Sequence, residues 1–147
     1  EPLIYPETID TLVSNFKLSS FDIMLPYIEI NDTNNVNIVK ISTVGKKIIY
    51  MSRMDIPCPF SQDRKLKKHL SIIAFTVSAL RKYSHMKKSE LEKIESIELL
   101  RALESGLEIG TFQESKESFS VDVIEDYHRA NRYMRDDKVY KRYRLVQ

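Results

Sequence analysis

The sequence predicts an α+β fold, in which a small antiparallel sheet in the first half is followed by helices in the second. Residues 36–54 are rich in β-branched and apolar side chains around Gly45-Lys46, a pair that suits a tight hairpin turn. From about residue 62 onward, apolar residues recur at helical spacing and polar capping residues separate the segments. Strands followed by helices indicate an α+β domain rather than an alternating α/β one.

The first elements are a helix and a strand. A helix is expected to begin near Pro6, because Pro is favoured in the first helical turn and the acidic Glu7 suits the same turn. Its predicted buried face consists of Ile9, Leu12, Val13 and Phe16. A strand is expected near residues 21–30, but Pro26 lacks an amide donor and so indicates an edge strand or a bulge. The hairpin of residues 36–54 completes the predicted sheet.

A central helix is predicted over about residues 62–83. One apolar stripe of this helix consists of Leu66, Leu70, Ile73, Val77 and Leu80. A second stripe on nearly the opposite side consists of Ile72, Phe75 and Ala79. A helix with two apolar faces must be covered on both. Further helices are expected over about residues 89–105, where Ser89 and Glu92 fit a capping box, and over about residues 120–135.

Length and composition are those of a globular protein. The 147 residues suit one domain, so residues 1–147 are predicted to form a single α+β domain. The start at Glu1-Pro2 favours an excised fragment or a processed chain. With one cysteine and no signal pattern, we expect an intracellular protein that is not secreted. The apolar run within residues 70–80 is about half of the roughly 20 residues that a membrane span needs.

The charges are unevenly distributed along the chain. Residues 64–88 hold eight Lys or Arg and no Asp or Glu, whereas residues 89–128 hold eleven acidic and three basic residues. The cations predicted to contact an anionic partner here are Arg64, Lys65, Lys67, Lys68, Arg81, Lys82, Lys87 and Lys88. Four of them would lie at a helix N-terminus, where the helix dipole disfavours cations. Alternatively, the acidic segment packs against the basic one and neutralises it.

A second basic region spans residues 129–144. Its predicted partner-binding residues are Arg129, Arg132, Arg135, Lys141, Arg142 and Arg144, interleaved with Tyr133, Tyr140 and Tyr143. Cations bind phosphates and aromatic rings stack on bases, so this pattern suggests single-stranded nucleic acid. The alternative is an amphipathic terminal helix whose tyrosines pack inward.

Catalytic and metal-binding motifs are not found in the sequence. The three histidines, His69, His85 and His128, show no helical pairing for a metal, so no metal and no cofactor is expected. The three glycines form no phosphate-binding loop. Glu114 and Lys116 form an acid-x-Lys pattern after an apolar strand, which permits a metal-dependent nuclease as the weakest hypothesis.

The lead hypothesis is therefore a non-enzymatic interaction domain. Abundant Asn, Ile, Lys and Ser are typical of AT-rich genomes, which suggests a viral source, with the cytoplasm or nucleus of the host as its location. Basic regions 64–88 and 129–144 would bind RNA, a ribonucleoprotein or another acidic protein surface. The alternatives are a membrane-associated or self-assembling structural protein of the viral matrix type, on an anionic membrane, and a module for protein binding or oligomerisation.

Overall fold

The computed structural model describes residues 2–31, 34–58, 60, 65–116, 118, 120–121 and 123–144. The elements of these residues, in chain order, are α1 (Pro6–Lys17), β1 (Ile23–Ile30), β2 (Lys40–Val44), β3 (Lys47–Ser52), β4 (Leu66–His69), β5 (Ala74–Phe75), α2 (Val77–Ser84), α3 (Glu90–Glu95), α4 (Leu100–Glu104), β6 (Ile109–Gln113), α5 (Ile124–Asp136) and α6 (Lys138–Arg144). Strands lie mainly in the first half and helices in the second, so the predicted α+β class is confirmed.

The sheet is mixed rather than purely antiparallel. Its strand order is β4-β2-β3-β6-β1-β5, and β4 also pairs with β1, so five of the strands close into a ring. Strand β1 runs parallel to β6 and antiparallel to β4 and β5. The parallel pair arises because β6 returns to β1 only after helices α2, α3 and α4, which provide the long crossover that parallel strands need.

The predicted hairpin is confirmed. Strands β2 and β3 pair antiparallel from Lys40↔Ser52 to Val44↔Lys47, with a register shift between Ser42 and Thr43. Gly45 has a φ of 57°, and a positive φ at the first turn position is what a type II′ hairpin requires.

The prediction that Pro26 marks an edge or a bulge is wrong, because β1 lies inside the sheet. On one side β1 pairs with β6 through residues 23–27. On the other side it pairs with β5 through residues 23–24 and with β4 through residues 27–30. Pro26 lies between those two pairings, where one neighbouring strand is replaced by the other. A missing amide therefore interrupts neither ladder.

The predicted central helix over 62–83 is wrong over residues 65–76, whereas residues 62–64 lie outside the described part of the chain. Residues 66–69 and 74–75 form strands β4 and β5 with irregular residues between them, and the helix is limited to Val77–Ser84. Thr76 caps this helix, because its hydroxyl accepts a hydrogen bond from the Ala79 amide at 3.1 Å. Of the predicted main stripe, Leu66 and Leu70 are buried whereas Val77 is 68% exposed. Backbone pairing with β1 is favoured here over the helix that the local apolar spacing predicts.

The strand also removes the unfavourable helix start. Lys65, Lys67 and Lys68 lie on or beside β4, so no helix dipole opposes their charge. Glu29 of β1 lies opposite Lys67 in the ladder, and a Glu29 carboxylate oxygen is 3.8 Å from Lys65 Nζ. Lys65 therefore pairs with an acidic residue of β1, whereas Lys68 Nζ lies 3.4 Å from the Ser118 carbonyl, within the segment 89–128. Arg64 lies outside the described residues.

The two later helices also differ from the prediction. The segment 89–105 contains two helices, α3 and α4, rather than one, although Ser89 caps α3 as expected by accepting from the Glu92 amide at 3.3 Å. The break falls at Ser96, whose φ is 53° in the left-handed region. The third predicted helix, 120–135, begins at Ile124, and α6 follows it.

The hydrophobic core lies between the sheet and the α3–α4 region. It consists of Ile23, Leu25, Ile41, Ile48, Met51, Ala79, Ile97, Leu99, Leu100, Ala102, Leu107 and Ile109. The inward residues of β1, β2, β3 and β6 thus pack on side chains of the α3–α4 linker and of α4. This packing fixes the α3–α4 linker against the ends of the strands.

Candidate functional site

A pocket of about 510 Å³ lies where the ends of the strands meet the α3–α4 linker. We call it the central pocket. Its lining residues come from the loop before β2, the end of β3, β4 with the residues after it, the α3–α4 linker and Ser120. They are Asn37, Ile38, Val39, Arg53, Lys68, His69, Ser71, Ile73, Ser96, Ile97, Glu98, Leu99 and Ser120.

Arg53, which follows β3, connects two walls of the central pocket. Its Nε donates to the Glu95 carbonyl at 2.8 Å, its Nη1 to the Val36 carbonyl at 2.9 Å and its Nη2 to the Ser96 carbonyl at 3.1 Å. A guanidinium has five N–H donors, so these bonds to described residues leave two for a bound anion. The group is held rigidly and is half-buried, which suits recognition of a carboxylate or a phosphate.

The α3–α4 linker is held in place by the same contacts. The Glu95 carboxylate accepts hydrogen bonds from Ser52 Oγ at 2.7 Å and from the Arg53 amide at 2.9 Å. The Glu95 and Ser96 carbonyls accept from Arg53, instead of bonding to a further helical turn. This explains why the helix breaks at Ser96, and the break is what brings Glu98 to the pocket.

A buried ion pair joins α3 to α4 and so stabilises the linker between them. Arg101 of α4 donates to both carboxylate oxygens of Glu92 in α3, through Nε at 2.6 Å and through Nη2. The Arg101 guanidinium also lies 5.2 Å from the centre of the Tyr83 ring and donates to the Met86 carbonyl at 3.3 Å. The hydrogen bonds from Arg101 lower the pKa of the Glu92 carboxyl below its ordinary value, so Glu92 is ionised in the folded protein.

Strand β4 contributes a lysine and a histidine to the lining of the central pocket. Lys68 and His69 both line it, and the His69 amide donates to the Val39 carbonyl at 3.3 Å. His69 Nδ1 lies 3.2 Å from the Leu70 carbonyl, which can only accept, so Nδ1 carries the proton.

The lining is therefore suited to a polar anion. Arg53 and Lys68 offer positive charge, and Asn37, His69 and Glu98 offer hydrogen-bond donors and acceptors. Pocket volumes of about 300–1,000 Å³ are usual for small-molecule sites. The volume and the chemistry together fit a negatively charged, hydroxylated small molecule.

Among the predicted cations of residues 64–88 that the structure describes, which exclude Arg64, Lys68 is the one that lines the central pocket. Lys67 faces elsewhere, since its Nζ lies 4.8 Å from the centre of the Tyr27 ring and donates to Thr43 Oγ1 at 2.7 Å. Arg81 and Lys82 are exposed in the last turn of α2, and the exposed Lys87 and Lys88 lie between α2 and α3. None of these five cations lines the central pocket.

The second predicted basic region lies on α5 and α6. Arg129, Arg132, Tyr133 and Arg135 belong to α5, whereas Tyr140, Lys141, Arg142, Tyr143 and Arg144 belong to α6. Arg129, Tyr133, Tyr140 and Tyr143 line a separate groove of about 850 Å³ together with the N-terminal residues 2–7. None of this region lines the central pocket.

Glu114 and Lys116 are used in other contacts. Lys116 Nζ lies 3.0 Å from Glu7 Oε2 and 5.0 Å from the centre of the Tyr5 ring. The Glu114 carboxylate accepts from the Ser115 and Lys116 amides at 2.7 and 3.1 Å. Within the described part of the chain, no group of three or more His, Cys, Asp or Glu is placed to hold a metal ion. The expectation of no cofactor remains a prediction.

The model of the cytidylyltransferase family matches residues 1–109, so the chain belongs to the cytidylyltransferase family. Within that family it is 33% identical, over 146 residues, to the 3-deoxy-manno-octulosonate cytidylyltransferase of Nitratiruptor sp., an alignment that covers 89% of this chain and 58% of the relative. It is also 33% identical, over 143 residues, to the 3-deoxy-manno-octulosonate cytidylyltransferase of Rickettsia bellii, which covers 94% of this chain and 57% of the relative.

A solved structure supports the same relationship. The CMP:2-keto-3-deoxy-manno-octonic acid synthetase, solved in complex with CTP, superposes with a TM-score of 0.85 at 26% identity. The match covers 91% of this chain and 58% of that chain. The chain thus spans somewhat more than half the length of the relatives it matches.

These relationships overturn the functional prediction. Family membership shows that the hypothesis of a non-enzymatic viral interaction domain is wrong, and with it the viral matrix, oligomerisation and nuclease alternatives. RNA and anionic membranes are likewise the wrong partners, since the relatives are cytidylyltransferases and the solved one is complexed with a nucleotide, CTP. The acidic protein surface and self-association stay predictions. No helix of the described residues is both long enough and apolar enough to cross a bilayer.

Sequence reasoning missed most of the central pocket. Neither Arg53 nor His69 is among the binding residues that the sequence predicts. One signal was present in the sequence, since Glu92, Glu95 and Glu98 recur every third residue before Arg101. Such regularly spaced acids suggest specific contacts. Glu92 finds its partner nearby in Arg101, whereas the partners of Glu95, Ser52 and Arg53, lie about forty residues away and are identified only by the fold.

Proposed function

We propose that this chain forms the sugar-acid-binding part of a cytidylyltransferase that acts on 3-deoxy-manno-octulosonate. In this reaction a sugar hydroxyl oxygen attacks the α-phosphorus of CTP. The bond from that phosphorus to the oxygen of the β-phosphate breaks, pyrophosphate leaves, and the hydroxyl loses its proton. Support for the class of reaction comes from the family, and support for the acceptor comes from the names of the relatives.

The observation that carries the acceptor assignment is the lining of the central pocket. A sugar acid has one carboxylate and several hydroxyls. The two remaining donors of Arg53 suit the carboxylate, because guanidinium and carboxylate match in a planar, two-bond geometry. Asn37 and Glu98 suit the hydroxyls, which both donate and accept hydrogen bonds.

His69 is our candidate for handling the hydroxyl proton. His69 lines the central pocket, its Nδ1 lies 3.2 Å from the Leu70 carbonyl, and an imidazole is the side chain that most often acts as a general base. Lys68, the preceding residue of β4, also lines the pocket and contributes positive charge, with its Nζ 3.4 Å from the Ser118 carbonyl. Both groups lie on a strand that is paired on two sides, which keeps their positions fixed.

Isothermal titration calorimetry of this chain with 3-deoxy-manno-octulosonate tests the assignment. We expect saturable one-to-one binding. We also expect neutral mannose to bind much more weakly, because it has hydroxyls but no carboxylate for Arg53. Equal binding of both sugars, or no binding of either, would contradict the assignment of the central pocket to a sugar acid.

A further inference from the structure

Lys40, the first residue of β2, is fully buried although it carries a charge. Lysines are almost never buried in this way unless they are paired. The Nζ of Lys40 donates to the carbonyls of Asn35 at 2.7 Å, Ile38 at 3.0 Å and Arg53 at 2.5 Å. These bonds use all three donors of the ammonium group, and Asp55 Oδ1 at 3.4 Å supplies the opposite charge.

The three carbonyls belong to the two segments that form one wall of the central pocket. Ile38 and Arg53 both line the pocket, and Asn35 begins the loop that carries Asn37. Lys40 itself does not line the pocket. Its ammonium therefore joins the loop before β2 to the end of β3 from behind the wall.

The loop of residues 34–39 has no regular secondary structure, so separate contacts hold it. The Asn34 amide donates to Asp55 Oδ2 at 2.9 Å, and the Asn37 amide donates to Asn35 Oδ1 at 3.0 Å. The Val36 carbonyl accepts from Arg53, as described above. Lys40 is the fully buried member of this set. Without its ammonium, the buried acceptors around it would lose their donor.

We propose that Lys40 is a positioning residue for the central pocket, whose ammonium fixes the loop of residues 35–39 and the backbone of Arg53 in the geometry that binds the anionic substrate. The inference rests on the proposed function for the identity of the ligand. The effect of Lys40 on the order of the loop is a property of the free protein and does not depend on the proposed function. Ligand affinity and loop order can each be measured.

The test compares Lys40→Met with Lys47→Met. Methionine has a similar length but no charge and no donors. Lys47 lies on the adjacent strand and pairs with Glu108 at 2.5 Å on the surface, where its side chain is 48% exposed, so it is a matched control. Affinity for 3-deoxy-manno-octulosonate is measured by calorimetry well below the melting temperature of each variant. Exchange of the Asn37 and Ile38 amides is followed by NMR, with the α5 amides as an internal reference.

For Lys40→Met we expect about tenfold weaker binding and at least about tenfold faster exchange of the two loop amides, because a small displacement of the wall misplaces Arg53 and Asn37. The α5 amides and the Lys47→Met variant should behave like wild type. A folded Lys40→Met variant with wild-type affinity and wild-type exchange would overturn the proposal.

Lys40→Arg provides a second test in case Lys40→Met does not fold. Arginine keeps the charge but cannot place three donors on one atom. If Lys40→Met is unfolded, a folded Lys40→Arg variant with weaker binding and faster loop exchange supports the positioning role. Wild-type behaviour of Lys40→Arg, or failure of both variants to fold, would assign Lys40 to folding alone and overturn the proposal. If wild-type protein binds no sugar acid, the proposed function fails, while loop exchange still decides whether Lys40 orders the wall.

Discussion

The basic segment around β4 and the basic C-terminal helices differ in what their backbones pair with. Strand β4 bonds to β1 on one side and to β2 on the other, so its side chains point in directions that the ladder fixes. Helices α5 and α6 satisfy their backbones internally, and several of their side chains remain at the surface, including Tyr133 at 56% and Tyr143 at 73% exposure. Similar composition therefore contributes to the central pocket in one region and, in the other, to a largely exposed helical surface that borders the separate groove beside residues 2–7.

This difference shows what charge counting can and cannot predict. Both segments were assigned to the same anionic partner because both are rich in cations. Only the segment with long-range strand pairing contributes to the central pocket, through Lys68 and His69. A binding site needs groups held in fixed mutual positions, and the number of charges in a segment does not provide that.

The largest effect should come from Arg53→Ala. This substitution removes the two donors proposed for the substrate carboxylate as well as the bonds to the Val36, Glu95 and Ser96 carbonyls. We expect about 100-fold weaker binding of 3-deoxy-manno-octulosonate by calorimetry, because charge-assisted hydrogen bonds are the strongest available here. The exposed Arg81→Ala serves as control. Unchanged affinity of the Arg53→Ala variant would show that the end of β3, where Arg53 lies, is not part of the binding site.

A smaller effect is expected for Lys68→Met. The half-buried Lys68 contributes charge to the pocket, whereas Lys65, just before β4, is an exposed cation beside Glu29. We expect about fivefold weaker binding for Lys68→Met and wild-type binding for Lys65→Met, since an exposed ion pair contributes little. Equal losses in the two variants would indicate that overall charge, rather than position on β4, governs binding.

The Glu92–Arg101 pair predicts a pH dependence of stability. Arg101 lowers the folded-state pKa of Glu92 below the ordinary value of 4.5. This stabilisation is complete above that value and is lost as the pH falls through the lower, folded-state pKa. The melting temperature of wild type should therefore fall more steeply below about pH 4.5 than that of Glu92→Gln. Glu90→Gln, which changes an exposed partner of Lys93, should retain the wild-type profile.

The smallest effect is expected for Arg132→Ala and Arg135→Ala on α5. Both arginines are exposed and neither lines the central pocket. Sugar-acid affinity should stay within about twofold of wild type, as is usual for surface substitutions away from a site. A loss comparable to that of Lys68→Met would show that the two basic regions act on the same ligand and would invalidate the comparison made above.

The predictions that succeeded rest on local chemistry. The hairpin was predicted because Gly45 adopts a positive φ without a steric cost, and the start of α3 because Ser89 can cap it. The α1 boundary at Pro6 follows in the same way. The predicted buried face of α1 was less accurate, since Leu12 is buried but Ile9 is 47% and Val13 41% exposed.

The predictions that failed concern segments whose partners are distant in sequence. Leu66 and Leu70 are buried in either a helix or a strand, so their apolar character did not distinguish the two. The choice was made by β1, about forty residues earlier, whose residues 27–30 pair with β4. Likewise, Arg53 could not be recognised as a site residue until its carbonyl partners in the α3–α4 linker were known.

By itself, the sequence determined the α+β class, the hairpin and the caps of individual elements, because these depend on backbone preferences within a few residues. Only the tertiary structure decided that residues 66–69 form a strand, that the helix breaks at Ser96, and that Asn37, Arg53, His69 and Glu98 meet in one pocket. The physical reason is that strand pairing, the burial of Lys40 and the contacts of Arg53 are long-range interactions. Their free energy depends on groups that a local sequence pattern does not contain.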